Sequence, residues 1–216
     1  MIAGVVLGLD LWSKHWAFST LAPDEIHTFI PGFLEFRRSL NDGAVFGSLT
    51  GQTGLFITAS LLALVFVFYL FAFSWRTQWG LHIALALILS GAMGNLYDRA
   101  YVKADVVRYQ ADSDRQVSII GTIVSSDPDS RVIRIGNWPD GRYARTFPTD
   151  EVSVHRQGVV RDFLKFAIHF PTWIPFLGQR DVWPWIFNVA DVALVCGVGV
   201  LLIHTRRDRK NSRSSP

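Results

Sequence analysis

The feature that most constrains this chain is the apolar stretch from Trp185 to His204, which carries Asn188 and Asp191 near its beginning. About 20 apolar residues suffice for a helix that crosses a bilayer. An isolated carboxylate in hydrocarbon is strongly unfavourable, so Asp191 must be paired, hydrated or protonated. The sequence therefore predicts a polar pocket at a membrane, with Asp162 as the closest chemical match to Asp191 and Asp98 as a second candidate.

The composition is typical of a membrane protein. Of the 216 residues 50% are hydrophobic and 18% are charged, and the mean hydropathy is +0.24. The net charge of +3 comes from basic residues that flank apolar segments, so membrane topology explains it better than nucleic-acid binding does. The single cysteine, Cys196, lies inside an apolar run. This sequence therefore offers no disulfide framework or cysteine metal cluster, and we interpret Cys196 as a small packing residue.

Three further apolar segments precede this stretch, and together the four predict an all-α membrane protein with four transmembrane helices. Asp10 and Lys14 stand four residues apart in the first segment, so we expect them to pair on one helix face. Small residues at 90–94 in the third segment predict close packing between helices. The three segments are Met1–Leu21, Gly54–Trp75 and Leu81–Arg99.

Two regions between these helices have a different pattern. Residues 22–52 contain alternating segments and predict a small extracytoplasmic β-region, in which Asn41-Asp42-Gly43 is a turn signal. Residues 101–157 have a soluble composition, with candidate strands at 117–124 and 131–135, and predict an inserted β-rich extracytoplasmic module. Its balanced charge argues against a nucleic-acid interface. A substrate gate, a partner-docking module and a neutral insertion are all open at this point.

The predicted organisation has four parts: residues 1–100 with three helices, the module at 101–157, a loop and the fourth helix at 158–205, and a basic cytoplasmic tail at 206–216. Repeated Pro and Trp before the fourth helix predict that the loop returns along the membrane surface. Positive residues near helix ends favour the cytoplasm. We therefore expect both termini in the cytoplasm, with the acidic pocket near the extracytoplasmic face.

Five ordered blocks of this sequence resemble the bacterial lipoprotein (type II) signal peptidase family, whose members are aspartic peptidases. The set extends from the first predicted helix to the fourth and is far more specific than any one block. The blocks are Asp10 with Lys14, NDGAVF at 41–46, GAMGNLYDR at 91–99, GVVRDF at 158–163 and FNVAD at 187–191.

The resemblance implies an intramembrane aspartic endopeptidase, without a cofactor or metal, that removes the signal peptide of diacylglyceryl-modified prolipoproteins before the lipidated cysteine. It also implies a place in the bacterial inner membrane, contact with membrane lipids and inhibition by the cyclic peptide globomycin. Carried over residue by residue, the catalytic acids are Asp162 and Asp191. The positions that match supporting or substrate-binding residues are Asn41, Gly43, Asn95, Asp98, Arg99, Asn188, Ala190, Asp10 and Lys14.

Two features depart from the family pattern. Arg161 stands directly before the first catalytic acid, where the family usually has a small or apolar residue. The module at 101–157 replaces what is normally a connection of a few residues. Both departures concern substrate preference, since neither removes a catalytic block.

Other functions are less compatible with the sequence. Ser13 and Lys14 are adjacent on a helix and point in different directions, which disfavours a Ser/Lys protease. The six histidines are scattered and the sequence has no HExxH motif, which disfavours a metalloprotease. The main alternative is a non-enzymatic four-helix transporter or lipid-binding membrane protein, in which the buried acids conduct protons or bind a cation.

Overall fold

The structure is a computed structural model and describes residues 1–43, 53–112, 115–127, 129–149 and 152–214. These residues form four helices and two antiparallel sheets, of four and five strands. The prediction of an all-α membrane protein is therefore wrong. Alternating segments pair over long distances along the chain, and the loop before the fourth helix contributes strands of its own.

The four helices lie close to the predicted apolar segments. By length and composition, α3 and residues 189–206 of α4 can cross a membrane, whereas the apolar part of α2 is shorter, at 57–72. The span assignments of α1 and α2 stay predictions. The helices are α1 at Ile2–Thr20, α2 at Thr53–Ala72, α3 at Trp79–Tyr101 and α4 at Val189–Ser214.

The nine strands of the described residues divide between the two sheets. The predicted strands at 117–124 and 131–135 are confirmed in outline, because they coincide largely with β4 and β5. The sheets have the orders β1-β2-β8-β9 and β6-β5-β4-β3-β7. The strands are β1 at His27–Ile30, β2 at Leu34–Asn41, β3 at Lys103–Asp112, β4 at Arg115–Asp127, β5 at Val132–Asn137, β6 at Arg142–Pro148, β7 at Val152–Gly158, β8 at Val160–Phe166 and β9 at Ile186–Phe187.

The chain forms two compact units. The first comprises Met1–Ser39, Ile57–Leu96 and Arg161–Pro216, and the second comprises Leu40–Phe56 and Tyr97–Val160. The first unit holds most of the helical residues and the smaller sheet. The second holds the five-stranded sheet, whose core consists of Val102, Ala104, Val106 and Val159, with Leu40, Ile120 and Trp138 packed against it.

In the first unit, aromatic side chains connect the sheet to α1. Phe36 of β2 contacts Trp16 of α1 edge-on, with ring centroids 5.5 Å apart, and lies 6.1 Å from Phe163 of β8. Phe163 is buried in a core with Ala17. Since successive side chains of a strand point to opposite faces, this packing turns Asp162 to the other face of β8, where it is also buried.

Helices α3 and α4 approach closely through glycines, as the small residues predicted. A Cβ at Gly91 would overlap the carbonyl oxygen of Ala190 and the side chain of Leu194. A Cβ at Gly197 would lie 2.9 Å from the carbonyl oxygen of Ala84 and 2.7 Å from Ile88 Cγ1. The backbones therefore set the distance between these helices.

This packing predicts opposite results for two glycines of the same helix. Gly197→Ala is expected to destabilise the protein by about 1–3 kcal/mol, because the methyl group would overpack the contact with α3. Gly199→Ala is the matched control, since a Cβ there meets nothing within 4 Å, and alanine favours a helix. Unfolding in detergent checks both variants. Equal stabilities would contradict the proposed close contact.

Candidate active site

Asn188 contacts both of the acids that the sequence singled out. Its Nδ2 donates a hydrogen bond to Asp162 Oδ1 at 2.6 Å, and its backbone N–H donates to Asp191 Oδ2 at 3.0 Å. Asn188 and Asp162 are buried and Asp191 is half-buried. The structure therefore brings a carboxylate from β8 and one from α4 to the two sides of a single asparagine.

The position of Asn188 follows from its place at the start of α4. It directly precedes the first helical residue, and Asp191 N–H donates to its Oδ1 at 3.0 Å. With the reverse contact from Asn188 N–H, the two residues form a reciprocal capping arrangement. The helix begins at Val189 rather than at the predicted Trp185, because Ile186–Phe187 pairs as β9. The helix dipole also favours a carboxylate at this end.

A second amide, Asn95 of α3, supports the same carboxylate. Its Nδ2 donates to Asp191 Oδ1 at 2.8 Å. Its Oδ1 accepts hydrogen bonds from Lys14 Nζ and from Asn188 Nδ2, each at 3.1 Å. Two donors therefore fix the oxygen side of this amide and leave its NH₂ group facing Asp191.

The ion pair predicted from the spacing of Asp10 and Lys14 is confirmed. Lys14 Nζ lies 2.8 Å from Asp10 Oδ2, and both side chains have zero exposure. Asp10 Oδ1 also accepts the backbone N–H of Ala190 at 2.8 Å. A Cβ at Gly94 would overlap the Asp10 carboxylate, so glycine is required beside it. The pair connects α1 to the first turn of α4 and to Asn95 of α3.

Seven of the predicted site residues thus form one continuous polar cluster in the first unit. Carboxylates, amides and one ammonium alternate through it, so that the buried polar groups satisfy one another. Its members are Asp10, Lys14, Asn95, Asp162, Asn188, Ala190 and Asp191.

The remaining four predicted residues lie in the second unit. Asn41 Oδ1 accepts the backbone N–H of Gly43 at 2.8 Å, and Gly43 has φ +99°, which confirms the predicted turn. Asp98 and Arg99 are buried near the end of α3, and the Arg99 carbonyl accepts a hydrogen bond from Lys103 Nζ at 2.8 Å. Roles of these residues in substrate binding stay predictions.

The structure also shows a polar contact in the second unit that the sequence did not reveal. Asp42, in the middle of the turn, is buried. Its Oδ2 lies 3.5 Å from Arg108 Nη2 of β3 and 3.4 Å from Gln157 Nε2 of β7. These partners are far apart in sequence, so no local pattern points to them. Among the described residues, no group of three or more His, Cys, Asp or Glu is arranged to hold a metal ion.

Comparisons with known proteins give the family. The family model described as signal peptidase (SPase) II matches residues 2–207. The lipoprotein signal peptidase of Desulfitobacterium hafniense (strain DSM 10664 / DCB-2) is 26% identical over 211 residues, covering 96% of this chain and 94% of that protein. The lipoprotein signal peptidase of Latilactobacillus sakei subsp. sakei (strain 23K) is 33% identical over 117 residues, covering 52% of this chain and 78% of that protein.

Solved structures show the same fold. A bacterial membrane enzyme determined by the in meso method at 2.3 Å has a TM-score of 0.62 and 20% identity, covering 100% of this chain and 91% of that chain. A second, determined by the same method at 1.9 Å, has a TM-score of 0.57 and 21% identity, covering 94% and 88%. Since the family model spans nearly the whole sequence, this chain belongs to the signal peptidase II family.

Proposed function

We propose that this protein is an aspartic endopeptidase that removes the signal peptide from diacylglyceryl-modified prolipoproteins and cuts immediately before the lipidated cysteine. Membership of the signal peptidase II family supports lipoprotein signal peptide cleavage. The observation that carries the aspartic mechanism is the double contact of Asn188 with Asp162 and Asp191. We further propose that the protein lies in the inner membrane, with both termini cytoplasmic and the site near the extracytoplasmic face.

The two carboxyl groups act as a pair in this mechanism. Two acids close together do not both ionise readily, so one holds a proton while the other is charged. The protons belong to the pair and are not assigned to either acid. The charged member takes a proton from a water molecule that attacks the scissile carbonyl. The protonated member donates a hydrogen bond to the carbonyl oxygen and then helps to protonate the leaving amine.

The two asparagines hold the pair without removing its proton. Neutral amide N–H groups donate to Asp162 and Asp191, and an amide neither accepts nor releases a proton at ordinary pH. Lys14 acts on the pair indirectly, because its Nζ donates to Asn95 Oδ1 and orients the amide that contacts Asp191. In this proposal the Asp10–Lys14 pair braces the site.

Substrate contacts are proposed for residues outside this cluster. Asn41 and Arg99 bind peptide carbonyls or the lipid headgroup region of the substrate. Globomycin occupies the space between Asp162 and Asp191, so it competes with the scissile segment. Family membership favours these roles over the transporter or lipid-binding alternative, in which the same acids would carry protons or bind a cation.

The test is cleavage of a purified diacylglyceryl-modified prolipoprotein by the protein in detergent or a bilayer. We expect a product that begins at the lipidated cysteine, identified by mass spectrometry, and no product when globomycin saturates the protein. The control substrate has the same sequence with an unmodified cysteine and is expected to remain intact. Equal cleavage of both substrates would contradict the lipid requirement. Failure of the native protein on several lipidated substrates would favour the transporter or lipid-binding alternative.

A further inference from the structure

The chain between β8 and β9 forms a hairpin that the proposed reaction does not use. The backbone N–H of Val182 donates to the carbonyl of Ile168 at 2.9 Å, and the N–H of Phe170 donates to the carbonyl of Arg180 at 2.9 Å. Beyond these bonds lies the segment that we call the tip, residues 170–179. Gln179 N–H closes it onto the Phe170 carbonyl at 3.0 Å. The tip is therefore an ordered projection from the smaller sheet.

The tip exposes large apolar side chains and has no charged residue. Its sequence is FPTWIPFLGQ. Trp173 is 79% exposed and Phe176 is 94% exposed, and Leu177 is also exposed. Neither aromatic ring packs into the protein, so the fold gains little from their size. Of these side chains, tryptophan favours a position where one end is apolar and the other is wet.

The backbone conformation at Phe176 is unusual for a bulky residue. Its φ is +65°, a conformation that favours glycine or asparagine and that is unfavourable for a bulky side chain. Turn hydrogen bonds hold the conformation, from Gly178 N–H to the Ile174 carbonyl at 3.0 Å and from Arg180 N–H to the Leu177 carbonyl at 2.9 Å. The turn therefore keeps the Phe176 side chain in its exposed position.

The base of the hairpin has the opposite character. Lys165 Nζ lies 2.7 Å from Asp181 Oδ2, and His169 Nε2 lies 3.0 Å from Asp181 Oδ1. The hydrogen bond from Lys165 lowers the pKa of Asp181, so this carboxylate stays charged at neutral pH. The hairpin is thus ionic at its base and uncharged at its tip, which is the order expected along a path from water into a lipid interface.

The hairpin continues directly into the membrane-facing part of α4. Trp183 and Trp185 follow it, half-exposed and with their rings packed edge-on at 4.9 Å. Tryptophan prefers the headgroup level of a bilayer. Four residues later α4 begins, and its apolar side chains at Val192, Val195 and Val198 are exposed. The exposed apolar surface of a spanning helix is therefore continuous in sequence with the hairpin.

We propose that the tip inserts into the headgroup and upper acyl region of the phospholipid bilayer and anchors the loop that joins β8 to α4. The anchor is apolar, so zwitterionic phospholipids suffice and anionic lipids are not required. The inserted tip would keep the chain between Asp162 and Asp191 at a constant depth in the bilayer. The proposal rests on the membrane location of the family and does not depend on the proposed peptidase reaction.

The test measures the depth of single nitroxide labels in phosphatidylcholine nanodiscs. Native Cys196 is first replaced by serine, and labels are placed by Trp173→Cys and, separately, Phe176→Cys. Tyr143→Cys supplies the control, because Tyr143 of β6 is an equally exposed aromatic residue, at 80%, in the module of soluble composition. We expect the ratio of oxygen to nickel accessibility to be several-fold higher at both tip positions than at the control.

Two results would overturn the proposal. One is nickel accessibility at both tip positions as high as at Tyr143→Cys, which would place the tip in water. The other is protection of the tip labels only after lipidated substrate or another protein is added, which would make the tip a substrate or partner contact. Both sites are exposed, so neither substitution removes core packing. The protein is used whole, without substrate, and the outcome is independent of cleavage activity.

Discussion

Replacing either Asp162 or Asp191 by asparagine is expected to abolish prolipoprotein cleavage. Asparagine keeps the size of the side chain and one carbonyl oxygen, but it cannot take a proton from water or pass one to the leaving amine. General acid and base catalysis contributes about 10²–10⁴-fold to a rate, so we expect kcat to fall by at least about that factor. The initial rate of release of the signal peptide, at matched amounts of folded protein, measures the effect.

The double variant provides a sharper form of the same experiment. If the two acids act as one unit, removing both should cost little more than removing either, because effects within a catalytic unit are not additive. Asp140→Asn is the control, since Asp140 is an exposed acid paired with Arg142 in the second unit, and it should cleave at the native rate. Native rates for both single variants at 162 and 191 would disprove the pair, and Asp98 would become the next acid to examine.

The second large effect is expected at Lys14. Lys14→Met leaves the Asp10 carboxylate in a site with zero exposure and without its ammonium partner. It also removes the donor that fixes Asn95. Breaking a buried ion pair from one side typically costs about 3–5 kcal/mol, so we expect the free energy of unfolding in detergent to fall by about that amount.

Removing both charges together separates the effect of charge on stability from the effect of side-chain packing. In Asp10→Asn with Lys14→Met no uncompensated charge is left, and replacement of a whole buried pair is often close to neutral. This double variant should therefore recover much of the stability lost in Lys14→Met. If the single variant is as stable as the native protein, or the double variant is as unstable as the single one, the pair does not brace the fold as proposed.

Local patterns in the sequence predicted the helices and, within the site, the pair formed by Asp10 and Lys14. Apolar length located the helices, and the four-residue spacing of Asp10 and Lys14 sufficed for their pair because both lie on one helix. The turn at Asn41-Asp42-Gly43 was equally local. In each case the information lies within a few residues, where backbone geometry determines which side chains meet.

Long-range pairing could not be predicted in the same way. Strand β3 pairs with both β4 and β7, and its contact between Lys103 and Gly158 closes more than fifty residues of chain. Asp162 and Asn188 likewise come from different elements. The sequence offered Asp162 as a chemical match for Asp191, and the family resemblance added Asn188 as a supporting residue. The contact of Asp42 with Arg108 had no local signal. Such pairs depend on the assembled sheets, whereas the sequence predicted two β-rich regions without the pairing of their strands.

The reciprocal contacts of Asn188 and Asp191 place two demands on the same side chains. The two side chains cap the first turn of α4. They also belong to the cluster that is proposed to cut peptide bonds. If the first turn of α4 frays, Asp191 loses its orientation at the same moment, even while the rest of the protein stays folded. Loss of activity on mild heating can therefore precede global unfolding, and the start of this helix would set the thermal limit of the enzyme.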